Sequence, residues 1–228
     1  MDGGRIYADL ILSATTFFYI YYFNFYMKQI LLTLAGVFFI NTAQSQELSY
    51  GLVLGGNFYE ANNGNGRSSM ESKENFKANL GGYVEYGFTN NIGVKTEITY
   101  TSKNISTTNI SPLPKTDFEF NYIEVSPAFK YDFGDEYRKG FYMTLGPRFS
   151  FMTSAKSKGE DVKDLFEKMD IGLQLGLGQR LLQYFDLQAK LDYGATPFFQ
   201  IKELDAKSSF LGAYVSLNID LERMINKN

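Results

Sequence analysis

The sequence predicts an all-β fold: an eight-stranded antiparallel up-and-down transmembrane β-barrel, preceded by a signal peptide. Three observations predict it. Apolar and polar residues alternate with a period of two over eight segments, which is the pattern of strands with one apolar face. Long polar connections alternate with short ones, as in barrels that cross an outer membrane. An export signal precedes the first of these segments.

The export signal lies in residues 27–45, which have the three parts of a secretory signal peptide. Lys28 supplies the positive start, and Ile30–Ile40 form an apolar run of about 11 residues, too short to span a bilayer. Ala43 and Ser45 are the small residues that a signal peptidase reads. We therefore expect Sec-dependent export and cleavage after Ser45.

Residues 1–26 precede that signal and admit two interpretations. Either the start codon is assigned too far upstream and translation begins at Met27, or the segment is a true N-terminal extension. In the second case Leu10–Tyr26 is apolar enough for a marginal membrane helix, although it lacks flanking charged anchors. Under both interpretations the outer-membrane barrel domain comprises residues 46–228.

Composition excludes several classes of function. The chain has no Cys and no His, so it forms neither disulfides nor thiolate metal sites, and it lacks the usual general base of nucleophilic triads. We therefore expect no enzyme activity, no catalytic residue, no cofactor and no bound metal. The net charge of −3 comes from interspersed residues of both signs, which argues against a nucleic-acid partner.

Each strand is placed by its alternation. In the segment IGVKTEITY, Ile92, Val94 and Ile98 share one face, opposite Lys95 and Glu97. Most segments of this kind reach the roughly 9–11 residues that a tilted strand needs to cross a bilayer. The eight predicted strands lie at 48–58, 76–88, 92–101, 118–133, 141–153, 169–182, 186–195 and 209–221.

The apolar face of these strands is expected to point outward, to lipid. A soluble β-sandwich or a lipocalin-like barrel with that face inward is the alternative. Two observations disfavour it: the opposite face carries Gly and charges at strand centres, and aromatic residues gather near strand ends, as in an interfacial girdle. The girdle residues are Tyr50, Phe58, Tyr86, Phe88, Tyr100, Phe133, Phe141, Phe185, Tyr193 and Phe210.

The connections define a candidate interaction surface. Short connections lie at 89–91, 134–140 and near Tyr184. Long, polar connections are expected on the opposite, outer side of the membrane, where they could bind a protein partner. They lie at 59–75, 102–117, 154–168 and 196–208. Outer-membrane lipid is the other expected partner, and we expect a monomer.

One long connection contains the segment KGEDVKDLFEKMD, which is expected to form one or two helical turns. Val162, Leu165, Phe166 and Met169 would lie roughly on one side of such a helix. This side is expected to cap the barrel mouth or to dock a partner.

The fourth predicted strand changes its phase. Apolar residues occupy even positions up to Tyr122 but odd positions from Ile123 onward. Either a β-bulge lies between these two residues, or the upper part of the strand stands above the membrane.

The short connection at 89–91 fixes a register between the second and third strands. A three-residue turn there places Glu85 directly opposite Lys95 and Tyr83 opposite Glu97, all facing inward. Opposite charges that face each other across strands contribute roughly 0.2–1 kcal/mol to stability.

The segment NYIEVSPAFKYDFG, residues 121–134, resembles a strand of the PorT-like outer-membrane β-barrel proteins of Bacteroidota. In that family a strand of the form Y-[IL]-E-[IV]-P-x-x-x-K-Y-x-F-G precedes a short turn, whereas here Ser126 intervenes before Pro127. The AQSQ end of the signal and the glycines of the sixth strand are similar too. The resemblance covers residues 46–228 and implies an outer-membrane barrel; the member that names the family takes part in protein secretion. It implies no functional residues.

The inward face of the predicted barrel is charged. An eight-stranded barrel is only wide enough for side chains to fill, and a buried charge is costly unless it is paired. The inward set is balanced, which indicates a structural charge network rather than a selective pore with a ring of one sign or the paired carboxylates of a glycosidase. The predicted network consists of Glu85, Lys95, Glu97, Glu124, Lys130, Arg148, Arg180, Lys190, Asp192 and Asp220.

These features favour an integral protein of the bacterial outer membrane that is not an enzyme and has a structural role or an interaction role through its loops. A small transport pore is the first alternative. An accessory subunit of a protein secretion system is the second, and it rests on the family resemblance.

Overall fold

A computed structural model describes residues 47–62, 70–72, 76–107, 116–134, 137–201 and 206–226. All of these belong to one compact unit, Gln46–Asn228. The predicted signal peptide and the segment before it lie outside the described residues, so both stay predictions. Within the described ranges, a helix with the length and apolar character of a membrane span is absent.

The described residues form an antiparallel barrel that closes on itself. The strands found there are β1 (Glu47–Asn62), β2 (Met70–Ser72), β3 (Lys77–Gly87), β4 (Ile92–Thr107), β5 (Asp117–Asp132), β6 (Phe141–Ser157), β7 (Glu160–Asp161), β8 (Met169–Leu182), β9 (Phe185–Gly194), β10 (Phe199–Ile201) and β11 (Ala206–Asp220). In this part of the chain eight long strands pair in the order β1-β3-β4-β5-β6-β8-β9-β11, and β11 returns to β1, where Leu54 lies opposite Leu217. The predicted eight-stranded up-and-down barrel is therefore confirmed, and its closed wall satisfies backbone groups that lipid cannot.

Short elements extend the two ends of the barrel. At the end with the long connections, β2 pairs with β4, β7 with β6, and β10 with β11. A 3₁₀ turn, Lys163–Leu165, follows β7. The helical turns expected in this connection therefore amount to a single 3₁₀ turn among the described residues. Helix α1, Leu221–Ile225, follows β11 at the end with the short turns.

The long connections are shorter than the sequence predicts, because β1, β4 and β6 continue past their expected ends and β11 begins before its expected start. Polar residues suggested loops in these places, but they pair as strands: Ser102 Oγ donates to Asn121 Oδ1 at 2.5 Å, between β4 and β5. The predicted extents of the long connections, 59–75, 102–117, 154–168 and 196–208, are therefore wrong.

The outer surface of the barrel wall is apolar. Exposure alternates along the long strands, as in β9, where outward Leu187 and Leu191 are 44% and 64% exposed while inward Gln188 and Asp192 are buried. A continuous band of exposed Leu, Ile, Val and Phe of this kind is unstable in water. The band therefore faces lipid, which confirms the expected outward apolar face and excludes the soluble alternative.

Aromatic side chains pair at both ends of the lipid-facing band. At the end with the long connections, the ring centroids of Phe58 and Phe76 lie 5.2 Å apart. At the other end Phe133 lies 5.1 Å from Tyr131 and 5.4 Å from Phe141. Aromatic residues at the two ends of such a band are typical of an interfacial girdle, which contacts lipid head groups.

The change of phase in β5 does not come from a bulge in that strand. β5 alternates regularly, and the register shift lies across from it in β6, where Thr153 is the extra residue. Phe120 and Tyr122 point inward, on the same face as Glu124. The upper end of β5 is thus apolar inside and polar outside, as expected of a strand that continues beyond the lipid-facing band.

Candidate functional site

The interior of the barrel is the candidate site, and the structure places all ten of the predicted residues in it. Arg180 lies nearest to solvent, with a side chain that is 10% exposed. The other nine are buried: Glu85, Lys95, Glu97, Glu124, Lys130, Arg148, Lys190, Asp192 and Asp220.

Sequence reasoning missed five further charged residues of the interior, Lys103, Asp132, Arg138, Asp170 and Asp186. With them the described part of the interior holds seven cations and eight carboxylates. The balance of five cations and five carboxylates predicted from the sequence is therefore incomplete. Four of the five lie in phase with inward neighbours on their strands, and the alternation could have found them. Arg138 lies in a turn, where no periodicity exists.

The upper level of the interior, nearest to the long connections, is organised around the fully buried Arg148. Its Nη2 lies 2.7 Å from Asp170 Oδ1, its Nε donates to Asp192 Oδ1 at 2.9 Å, and its Nη1 donates to Glu124 Oε1 at 3.4 Å. Gly172 lies directly across from Arg148, and a Cβ there would be 2.6 Å from Nη2. Three carboxylates and the room left by a glycine offset the desolvation of this guanidinium.

A second cation, Lys103, joins the upper level. Its Nζ lies 2.7 Å from Glu124 Oε1. It also lies 4.2, 4.7 and 4.4 Å from the ring centroids of Tyr59, Tyr122 and Phe210. Contact of a desolvated ammonium with ring faces is worth about 2 kcal/mol, so the rings help to hold this charge away from water.

The middle level is a chain of alternating charges. Glu97 accepts a hydrogen bond from Lys190 Nζ at 2.6 Å and lies 3.1 Å from Lys95 Nζ. Lys95 also donates to Gln188 Oε1 at 3.1 Å. One carboxylate thus bridges two ammonium groups at the centre of the barrel.

The predicted register between β3 and β4 is confirmed, because Glu85 lies opposite Lys95 and Tyr83 lies opposite Glu97. The closest ion pair of Glu85 is nevertheless formed with another strand: Lys130 Nζ, from β5, donates to Glu85 Oε1 at 2.7 Å. Register therefore fixes which side chains are neighbours but not which of them pair.

The lower level closes the end of the barrel that has the short turns. Arg138, in the turn between β5 and β6, contacts Asp220 through Nη2 and Glu222 Oε2 through Nη1, the latter at 3.1 Å. Its backbone N–H donates to Asp132 Oδ1 at 3.1 Å. Arg180 Nη1 donates to Asp220 Oδ2 at 3.2 Å. These contacts join the turn to β8, β11 and α1 across the opening.

Tyr137, in the same turn, packs into space that two glycines leave. A Cβ at Gly87 would lie 2.8 Å from the Tyr137 ring, and one at Gly93 would lie 1.9 Å from its hydroxyl oxygen. Burial, with the nearby charges of Glu85 and Asp132, raises the pKa of the Tyr137 hydroxyl well above its ordinary value. The side chain is thus a neutral plug at this end of the barrel.

An aromatic stopper fills the opposite end, above the Arg148 level. Its residues are Tyr59, Ala61, Ile105, Phe120, Tyr122, Met152, Ala155, Phe166, Phe198, Phe210 and Tyr214. The rings of Phe198 and Phe210 stack with centroids 4.1 Å apart, and those of Phe120 and Phe166 meet edge to face at 4.7 Å. Because Phe166 follows the 3₁₀ turn, this connection caps the mouth, whereas the adjacent Leu165 is 67% exposed.

Phe210 was assigned to the aromatic girdle by its place near a strand end, and that assignment is wrong. Even-numbered residues of β11 such as Tyr214 and Asn218 face inward, and Phe210 is 1% exposed. Its ring belongs to the stopper, because the interior above the Arg148 level is lined by aromatic and aliphatic side chains.

Nearly all of the charged groups in the described interior are paired with a group of opposite charge. Asp186 accepts from the Tyr142 hydroxyl at 2.8 Å, and each of the other seven buried carboxylates described above lies against a cation. Groups held in this way stabilise one another.

A closed antiparallel barrel with an apolar exterior and a charged interior defines the class of outer-membrane β-barrel proteins. A family model described as outer membrane protein beta-barrel domain matches residues 42–200. The chain therefore belongs to this family, and it is a protein of the bacterial outer membrane. No curated protein matches the sequence.

Solved structures of small outer-membrane barrels are similar to this chain. The attachment invasion locus protein Ail of Yersinia pestis, in complex with the heparin analogue sucrose octasulfate, has a TM-score of 0.44 and 15% identity, over 76% of this chain and 99% of Ail. Neisserial surface protein A has a TM-score of 0.45 and 16% identity, over 75% and 98%. OprG from Pseudomonas aeruginosa has a TM-score of 0.44 and 11% identity, over 77% and 94%.

Proposed function

We propose that this protein is a closed, non-enzymatic barrel that holds a rigid surface structure and its loops outside the outer membrane. The observation that carries the proposal is the filled interior. The aromatic stopper lies at one end, the contacts of Arg148 lie beneath it, and the contact between Arg138 and Asp220 lies at the other end.

The charge arrangement supports a plug over a pore. A selective pore requires a continuous water path lined by charges of one sign. The described interior instead sets cations against carboxylates at three levels, in a barrel that is only wide enough for side chains to fill. A role in solute transport is therefore less well supported. A role in a secretion system has the resemblance to the PorT-like family as its support.

The absence of His and Cys from the sequence supports a non-enzymatic role. General acid–base catalysis requires a group whose proton can reach a substrate. The buried carboxylates are held by cations and by tyrosine hydroxyls, and the aromatic stopper separates them from the outside.

The surface structure, which we call the outer extension, is formed by three strands that continue past the lipid-facing band. It consists of residues 101–107, 117–122 and 152–157, which pair with one another beyond the lipid-facing band. At about 3.3 Å per residue each of these segments is roughly 20 Å long. Its outer face is polar: Asn121 accepts from Ser102 Oγ at 2.5 Å and donates to Ser154 Oγ at 2.9 Å. A polar face of this kind is expected to be exposed to water. The paired strands of the extension lead into the loops and support them there.

A liposome-swelling assay with small sugars tests the closed interior. Purified protein should show heat-modifiable migration on gels, because a closed hydrogen-bonded barrel resists detergent until it is boiled. Liposomes that contain this folded protein should swell no faster than protein-free liposomes, while a general porin in parallel samples should swell rapidly. Swelling at a rate near that of the porin would contradict the proposal.

Epitope labelling on intact cells tests the orientation of the surface structure. A tag inserted between residues 62 and 70 should be labelled by an external antibody, since the long connections are expected outside. A tag in the turn at 89–91 is the matched control and should be labelled only after the cells are permeabilised. The reverse pattern would overturn the display role.

A further inference from the structure

The wall of the barrel has a gap in its backbone pairing between β5 and β6. Val125 pairs with Phe149, and pairing resumes only where Phe129 lies opposite Leu145. The register is the same on both sides of the gap, so it places Pro127 directly opposite Pro147. Proline has no backbone N–H, and neither residue can donate to the other strand.

The gap leaves two carbonyl groups without the donors that a ladder supplies. Antiparallel pairs alternate between residues that exchange two hydrogen bonds and residues that exchange none. Pro127 and Pro147 occupy a position at which two residues would normally exchange two hydrogen bonds. The neighbouring pairs on both sides are lost as well, because each of them depends on one of the N–H groups that the prolines lack. In such a pair each carbonyl oxygen faces the nitrogen of the opposite residue, so the carbonyl groups of Pro127 and Pro147 have no N–H to accept from, at a depth where lipid offers no hydrogen bond.

A cavity of about 10 Å³ lies on the inner side of this gap. Ser126, Gly146 and Pro147 line it from the wall, and Gln174 lines it from the strand next to β6. Its other lining residues are Ala128 and Thr144 and four residues of the middle level and its neighbours, Lys95, Glu97, Gln188 and Lys190. Gly146 packs closely against Pro127, since a Cβ at Gly146 would lie 2.1 Å from Pro127 O. Because Gly146 also lines the cavity, that carbonyl oxygen lies beside it.

Gln174 is a second, independent sign of a bound molecule. Its side chain is 5% exposed, and its Nε2 has no hydrogen-bond partner among the described residues. A buried amide donor left without an acceptor costs about 1–3 kcal/mol, so such groups are usually satisfied by ordered water when the protein supplies no partner.

We propose that one water molecule is bound in this cavity and closes the gap between Pro127 and Pro147. It donates one hydrogen to each proline carbonyl and accepts a hydrogen bond from Gln174 Nε2. A cavity of roughly 10–15 Å³ holds one water, and buried waters typically make about three hydrogen bonds. The site offers two acceptors and one donor, which matches the two donors and one of the acceptor positions of water.

NMR of isotope-labelled protein in lipid nanodiscs tests the proposal. The side-chain amide protons of Gln174 and the backbone amide proton of Gly146 should show cross-peaks to water, with the sign of a dipolar contact in rotating-frame spectra. A wild-type protein without these cross-peaks would overturn the proposal.

Pro147→Leu tests whether the water spans the gap. Residue 147 faces lipid, so leucine fits the exterior, and its new N–H can donate to Pro127 O. The Gly146 cross-peak should disappear, and the new amide should be protected from exchange. Phe149→Leu is the control, because it changes a lipid-facing residue of the same strand whose N–H is already present, and it should keep the cross-peaks. Cross-peaks unchanged in Pro147→Leu would refute the bridging position.

Gln174→Leu tests the same site without altering the wall. This variant removes the donor, and the Gly146 cross-peak to water should be lost or reduced by at least half. If Pro147→Leu does not fold, Gln174→Leu still tests whether a water is bound at this site. A cross-peak of full intensity in Gln174→Leu would mean that the amide does not hold the water.

Discussion

Glu85 lies directly across from Lys95 in the β3–β4 ladder, yet its carboxylate is bound by Lys130 from β5, at 2.7 Å. Lys95 lies 3.1 Å from Glu97, two residues along its own strand. In a filled barrel a long side chain reaches neighbours two strands away. Ion pairs there follow the three-dimensional packing of the interior rather than the pairing of the backbone.

A double-mutant cycle tests this choice of partner. Glu85→Gln and Lys130→Met should be coupled by about 0.5–3 kcal/mol in the free energy of unfolding, as expected for residues in contact. The coupling of Glu85→Gln with Lys95→Met should be smaller. Urea unfolding in detergent micelles, followed by circular dichroism, measures both. A larger coupling with Lys95 would show that the ladder neighbour is the true partner.

Arg148→Ala should be the most damaging single change in the interior. It removes the cation that Asp170, Asp192 and Glu124 share, and stranding buried carboxylates costs about 3–5 kcal/mol. Lys168→Ala is the control, because its ion pair with Asp164 is largely exposed and such pairs contribute less than about 1 kcal/mol. Both are measured as shifts in the urea midpoint. Similar shifts in the two variants would mean that Arg148 is not the organising charge.

Gly178→Ala should overpack the interior. A Cβ at Gly178 would lie 2.1 Å from Cζ of Tyr142, and overpacking of this kind costs about 1–3 kcal/mol. Gly82→Ala is the control, since the nearest atom to its Cβ is 3.3 Å away. The temperature at which the heat-modifiable band shifts on gels should fall for the first variant and stay near wild type for the second. An unchanged temperature for Gly178→Ala would argue against the packing described for Tyr142.

Phe198→Ala should weaken the aromatic stopper without opening the barrel. Loss of a fully buried ring costs about 3–5 kcal/mol, but the charged levels beneath the stopper stay in place. Liposomes with the folded variant should therefore still fail to swell. Leu165→Ala, at an exposed position of the adjacent turn, should change stability by less than about 0.5 kcal/mol. Swelling with Phe198→Ala would mean that the stopper alone closes the barrel.

Mass spectrometry of outer-membrane protein should find an N-terminus at Gln46, because the predicted signal peptide ends at Ser45. The first residue is expected partly as pyroglutamate. Mature protein that retains Met1 would contradict the signal and favour the N-terminal extension.

The alternation of apolar and polar residues predicted the strands well, because one face of every strand contacts lipid and is apolar while the other faces the crowded, polar interior. The same rule fails where lipid ends: Phe120 and Tyr122 point inward with no apolar solvent outside, so their strand seemed to change phase. Arg138 could not be found from the sequence, because its place in the interior depends on contacts with Asp220 and Glu222 rather than on strand periodicity. Strand ends were misplaced because paired polar residues resemble loops in sequence.

Single-channel recording in planar lipid bilayers tests most directly the claim that the interior is closed. The same preparation that shows heat-modifiable migration should be added at low protein-to-lipid ratio, with voltage steps of both signs. The interior described here predicts no steady conductance above the protein-free bilayer. Stable, ion-selective current steps from the wild-type protein would contradict the account and establish the barrel as a pore.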